Sequence, residues 1–213
     1  GDFIYALRGY NTTDFYRYSI SGNAWTTMTA APGTIGGGGA LAYPGSGDYI
    51  YALRGYTTTD FYRYAISTNA WTSMAPAPGT IDSGGGLAYP GSGDFIYATR
   101  GSGTADFYRY SISGNSWIAM ASAPGTVLRG AALVYPGSGD FMYAFQGNSA
   151  VFWRYSISAN VWTAMSSAPG DIYGGGSLAY PGAGDYIYAS KGNNANDIYR
   201  YSISGNSWTS MAA

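Results

Sequence analysis

The chain contains no cysteine, no histidine and no glutamate, and its one lysine is Lys191. Without cysteine or histidine, thiol nucleophiles, imidazole bases and zinc sites of the usual kind are excluded. Charged residues make up 10% of the 213 positions, against roughly 25% in an average soluble domain, so hydroxyls and amides must solvate much of the surface. A formal net charge of −1 leaves no basic footprint for nucleic acid. No run approaches the ~20 apolar residues of a membrane-spanning helix, so membrane insertion is not expected either. A cysteine-free surface so poor in charge points to an extracellular or cell-surface location. The chain opens on Gly1 rather than Met, as expected of a processed product or of part of a longer array.

Glycine, tyrosine and repetition are what the chain has in abundance. The stretch "DFYRYSISGNAWTTM" at 14–28 returns in altered form from Asp60, Asp106, Val151 and Asp197. Trp25, Trp71, Trp117, Trp162 and Trp208 fall 46, 46, 45 and 46 positions apart. A period of this size marks a repeated supersecondary unit, propeller blades among them. No linker or shift in composition divides the array. It is read as one domain over 1–213, with units near 1–30, 31–76, 77–122, 123–167 and 168–213.

Each full unit contains four strand-like segments, for example "GALAY" (39–43), "DYIYALR" (48–54), "DFYRYAI" (60–66) and "AWTSM" (70–74). Turn chemistry separates them: "YPGSGD" before the second and "STN" or "SGN" before the fourth. No window sustains the 3.6-residue apolar period of a helix. The expected class is all-β, with four antiparallel strands per unit.

In each unit a tyrosine precedes a tryptophan with six residues between them: Tyr18/Trp25, Tyr64/Trp71, Tyr110/Trp117, Tyr155/Trp162 and Tyr201/Trp208. A glycine pair opens the first strand at Gly38-Gly39, Gly85-Gly86 and Gly175-Gly176, and is replaced by Ala131-Ala132 in one unit. These features resemble the kelch repeat. The resemblance covers the whole chain and implies a β-propeller of five kelch-like, four-stranded blades. Because the chain starts at a second strand, it also implies that the N-terminal blade lacks its innermost strand. Three arrangements follow: a five-blade ring with one three-stranded blade, part of a longer array, or an open edge completed by another chain. Five blades are preferred for the chain itself, with the three modes of closure left open.

The recurring Arg17, Arg63, Arg109, Arg154 and Arg200 are expected to be structural, either neutralising an acid such as Asp14 or lying along aromatic rings. A second basic position, Arg8, Arg54 and Arg100, becomes Gln146 and then Lys191 and reads as a solvated strand end. Differences between units concentrate in the strand two–three and strand four–one loops. In a kelch-like propeller these share one face around the channel mouth. The candidate ligand residues are therefore Tyr10, Asn11, Tyr56, Asp82, Arg129, Asn148, Asp171, Tyr173, Asn193 and Asn194. Tyrosine and asparagine suit sugar recognition, since a ring stacks while an amide reads hydroxyls.

Catalysis is not expected. All eleven acids are aspartates, most in regular turn or strand-end positions that favour local hydrogen bonding. Asp82 and Asp171 are read as one repeat position in two blades, too far apart for a paired-carboxylate reaction. Copper chemistry, known in some kelch-like propellers, needs histidine ligands that are missing here. No metal site or cofactor is expected. The reading is a non-enzymatic structural or interaction propeller whose partner is another protein or its own copies, self-assembling through the incomplete blade. The alternative is a glycan-binding, lectin-like module using the variable loops.

Overall fold

The computed structural model describes residues 1–211, in which nineteen strands and no helix occur. The first sheet is built from β1 (Phe3–Leu7), β2 (Phe15–Ser19) and β3 (Ala24–Thr27). The second holds β4 (Ala40–Ala42), β5 (Tyr49–Leu53), β6 (Phe61–Ala65) and β7 (Ala70–Ser73). The third holds β8 (Gly86–Ala88), β9 (Phe95–Thr99), β10 (Phe107–Ser111) and β11 (Ser116–Ala119). The fourth holds β12 (Ala132–Val134), β13 (Phe141–Phe145), β14 (Phe152–Ser156) and β15 (Val161–Ala164). The fifth holds β16 (Ser177–Ala179), β17 (Tyr186–Ser190), β18 (Ile198–Ser202) and β19 (Ser207–Ser210). Every sheet is an antiparallel meander in chain order, three-stranded in the first case and four-stranded in the others.

The β-period places alternate side chains on opposite faces of each sheet, and here both faces are packed. In the second sheet, Tyr51, Phe61 and Arg63 face the third sheet, while Ile50, Tyr64 and Trp71 face the first. The hairpin before each last strand turns on an asparagine. Asn23, Asn69, Asn115, Asn160 and Asn206 all have φ between 45° and 54°, a left-handed conformation that asparagine tolerates better than most residues.

One aromatic cluster recurs at every junction between successive sheets. Phe61 meets Tyr110 edge-on at 4.7 Å and Trp117 at 4.9 Å, and Tyr51 lies 5.9 Å from Tyr110. The same set is Phe15, Tyr64 and Trp71 at the first junction, Phe107, Tyr155 and Trp162 at the third, and Phe152, Tyr201 and Trp208 at the fourth. Aromatic pairs in such geometry add about 0.5–1.5 kcal/mol each beyond their burial.

Hydrogen bonds reinforce each junction. The indole Nε1 of Trp71, Trp117, Trp162 and Trp208 donates to the carbonyl of Thr29, Ala75, Ala121 and Ser166, each at 2.9 Å. The amides of those same four residues donate to Asn69, Asn115, Asn160 and Asn206. The residues just after Met28, Met74, Met120 and Met165 are thus held through both N–H and C=O by the following blade. The repeated tyrosine–tryptophan pair and the repeated asparagine are inter-blade fasteners.

Candidate functional site

The two variable loops of each of the first four blades lie together. Thr12 bridges Ile35, Thr58 bridges Ile81, Thr104 bridges Val127 and Ser149 bridges Ile172. On the other side of each strand four–one loop, the amides of Tyr56, Ser102, Asn148 and Asn193 donate to the carbonyls of Gly37, Ser83, Arg129 and Gly174. Each strand four–one loop is therefore clasped by the strand two–three loops of the blades before and after it.

Most candidate residues have a conformational or local role within this belt. Tyr10, Asn11, Tyr56, Asn148, Asn193 and Asn194 all adopt left-handed backbone, with φ from 47° to 61°. Tyr10 projects furthest, at 95% exposed, while the Tyr56 ring covers Gly36. Asp82 accepts the Thr57 hydroxyl at 3.0 Å and the Ser83 amide at 2.7 Å. The Tyr173 hydroxyl donates to Asp171 at 3.3 Å, and the Arg129 guanidinium lies against Gly174 of the next blade. Asp82 follows the bridging Ile81 whereas Asp171 precedes the bridging Ile172. The register thus corrects their reading as one repeat position: Asp82 corresponds to Tyr173, and Asp171 to Thr80. Asn148 is brought to Arg129 and Asp171 to Tyr173, and the remaining candidates are spread along the belt.

The recurring arginines lie over a ring of the neighbouring strand. The guanidinium carbon of Arg17, Arg63, Arg109, Arg154 and Arg200 lies 4.0–4.4 Å from the ring centres of Phe3, Tyr49, Phe95, Phe141 and Tyr186. This is cation–π packing, the second of the two structural roles expected. Asp14 pairs instead with Arg8 at 2.9 Å. The second basic position makes that bond in each blade that has one: Arg54 to Asp60 at 2.7 Å, Arg100 to Asp106 at 2.6 Å and Lys191 to Asp197 at 3.1 Å. Where the base becomes Gln146, the acid becomes Val151, so both charges are lost together. These bonds raise the pKa of Arg8, Arg100 and Lys191.

Turn aspartates are engaged as well. Asp94 accepts the Ser111 hydroxyl at 2.5 Å and the Ser113 amide at 2.8 Å, and these bonds hold its carboxyl below the usual range. Asp2, Asp140 and Asp185 are bound and shifted in the same direction.

Two surfaces remain unsatisfied. The first is beside β1, which pairs only with β2, whereas its counterparts β5, β9, β13 and β17 are paired on both sides. Next to it is an apolar hollow of about 370 Å³ lined by Phe3, Tyr5, Leu41, Tyr43, Ile50 and Ile66. Tyr5, in its wall, has a buried hydroxyl with no hydrogen-bond partner.

The second is a pair of faces. Ile4 and Trp25 are 52% and 59% exposed, although Ile50, Ile96, Met142 and Ile187 at the position of Ile4 are buried. At the other end of the series Ile198 is 37% exposed, where Phe15, Phe61, Phe107 and Phe152 are buried. Among the described residues, no hydrogen bond or ring pair joins the first sheet to the fifth. The pair of faces was not legible from any one motif, because it arises where a repeated contact is not made.

Twisted meanders packed face to face in series, with short strands β4, β8, β12 and β16 innermost and in mutual contact, define a β-propeller of five blades. The solved structure of YjhT matches it with a TM-score of 0.68 at 15% identity, over 89% of this chain and 69% of YjhT. At that identity the likeness concerns the fold. No family model matches the chain, and no curated protein does.

Proposed function

We propose that the protein is a non-enzymatic interaction module, exposed outside the cell or at its surface, whose kelch-like blades form a rigid scaffold. In this reading the first blade is incomplete and takes its missing inner strand from a partner protein, its own copies included. The observation that carries it is the free edge of β1 beside the hollow walled by Tyr5, Leu41 and Ile50. An added strand supplies main-chain hydrogen bonds along such an edge, and alternate side chains fill the hollow. The absence of catalysis is proposed on the engagement of the basic and acidic side chains in ion pairs, ring stacking and turns.

A peptide spanning residues 36–47, which carries the chain's own inner-strand sequence, tests this reading. Amide exchange at β1 is expected to be faster than at β5 in the free protein and to slow on adding the peptide. Absence of protection at β1 overturns the edge-strand reading.

A second reading, glycan binding by the variable loops, rests on the near-complete exposure of Tyr10 beside Asn11 and on the hydroxyl- and amide-rich belt. Hits on a glycan array that vanish in the Tyr10→Ala, Tyr173→Ala double variant are expected. No hits, or hits that survive the double change, overturn it.

A further inference from the structure

The exposed face of the first blade and the exposed face of the fifth are the two halves of one interface that the chain already builds four times. In each built copy, the preceding blade supplies a tyrosine of its second strand and the first residue of its third strand. The following blade supplies the tyrosine and tryptophan that receive them. At the first junction Tyr5 and Phe15 meet Tyr64 and Trp71, and at the fourth Tyr143 and Phe152 meet Tyr201 and Trp208. Continuing the series, the fifth blade presents Tyr188 and Ile198, and the first blade presents Tyr18 and Trp25. Tyr18 is only part-buried, whereas Tyr64, Tyr110, Tyr155 and Tyr201 are fully buried.

The polar groups of the first blade are in place as well. Asn69 accepts both the Tyr64 hydroxyl at 2.7 Å and an amide of the preceding blade at 2.9 Å. Asn23 accepts its own Tyr18 hydroxyl at 2.6 Å and has no amide from another blade among the described residues. Among the described residues, the Trp25 Nε1 likewise has no carbonyl of the kind that Trp71, Trp117, Trp162 and Trp208 meet. A shallow depression lined by Ala6, Arg8, Tyr16 and Trp25 marks the same face.

We propose that the fifth blade of one copy docks on the first blade of a second copy, head to tail, reproducing the interface made within the chain. The occupant is a second copy because the complementary surface is known: it is the chain's own, continuous with an established interface and free at the opposite end. The contact is heterologous, so it propagates until the accumulated rotation closes a ring or a filament grows. The proposal deepens the interaction-module reading but uses a side-chain face rather than the β1 edge. Peptide binding at β1 and blade-to-blade docking therefore succeed or fail separately.

The test is sedimentation of the full chain over a range of concentrations, with one variant on each face. The unaltered protein is expected to self-associate as concentration rises. Ile4→Asp blocks one face and Ile198→Asp the other, so each variant alone is expected to stay monomeric. Mixed one to one, they retain one good face each and are expected to form a heterodimer that grows no further. An unfolded variant cannot rescue its partner, so recovery on mixing also reports on folding. A third variant, Ile198→Phe, restores the aromatic residue found in the four built junctions. It is expected to tighten association roughly two- to tenfold through the added ring pairs. A protein that stays monomeric at every concentration, or folded single variants that fail to recover on mixing, overturns the proposal.

Discussion

The side-chain oxygen of Asn115 receives the backbone amide of Ala75 at 2.9 Å, across forty positions of sequence and one blade boundary. The same oxygen takes the Tyr110 hydroxyl at 2.8 Å, and the residue sits in left-handed backbone with φ 45°. One side chain thus turns a hairpin, orients a buried phenol and fastens the preceding blade.

Those roles separate by substitution. Asn115→Gly keeps the backbone conformation and loses both bonds. It is expected to cost about 1–3 kcal/mol from the two partners left unsatisfied. Asn115→Ala loses the same bonds and adds left-handed strain of about 1–2 kcal/mol. Denaturant midpoints are expected to fall in the order unaltered, glycine, alanine; equal midpoints for the two variants would remove the conformational role.

Two glycines test the stacking of the inner loops. Gly130 and Gly175 have nearly the same positive φ, 89° and 86°. A methyl group at Gly130 would run into the Tyr173 carbonyl of the next blade, whereas nothing lies within 4 Å of a methyl group at Gly175. Both alanine variants carry the backbone penalty, and only Gly130→Ala carries the clash as well. Thermal unfolding is expected to show Gly130→Ala clearly less stable than Gly175→Ala. Equal losses would mean that the inner loops yield freely.

Alkaline pH should loosen the junctions. Burial pushes the Tyr110 phenol from an ordinary 10.0 up to about 12, and Tyr155 and Tyr201 move in the same direction for the same reason. The folded protein holds these protons more tightly than the unfolded chain. Their stabilising contribution is therefore complete below pH 10 and is lost progressively as pH rises through the folded values. The denaturation midpoint is expected to fall above pH 10, with phenolate absorbance lagging behind that of free tyrosine. A flat midpoint from pH 9 to 12 would contradict this assignment.

Much of the fold can be read directly from the repeat. The expected strands at 48–54 and 60–66 enclose β5 and β6, and the tyrosine–tryptophan pairs locate the interfaces, because a period-2 strand buried on both faces writes its packing into consecutive residues. The arginine–ring stacking follows from the same alternation. Ion-pair partners were less legible: Asp14 lies closer in sequence to Arg17 than to Arg8, yet the meander brings Arg8 alongside it. The candidate asparagines carried a mixed signal, since the amide that suits sugar recognition also tolerates the left-handed backbone that these turns require. Contacts between inner loops of successive blades leave no motif within one unit, so Gly130 and Tyr173 show their relation only in three dimensions.

The near-identity of the four junctions has a consequence for how the chain finds its fold. Nothing in the side chains of Phe61 and Phe107 distinguishes the docking face of the second blade from that of the third. Any blade could therefore be received by any other. Order must come from the tether: β7 ends at Ser73 and β8 begins at Gly86, and so short a connection favours docking on the neighbouring sheet over a more distant one. The assembly sequence is set by proximity along the chain rather than by recognition. Shuffled blades, exchanged within or between molecules, are then the characteristic error of this architecture during refolding.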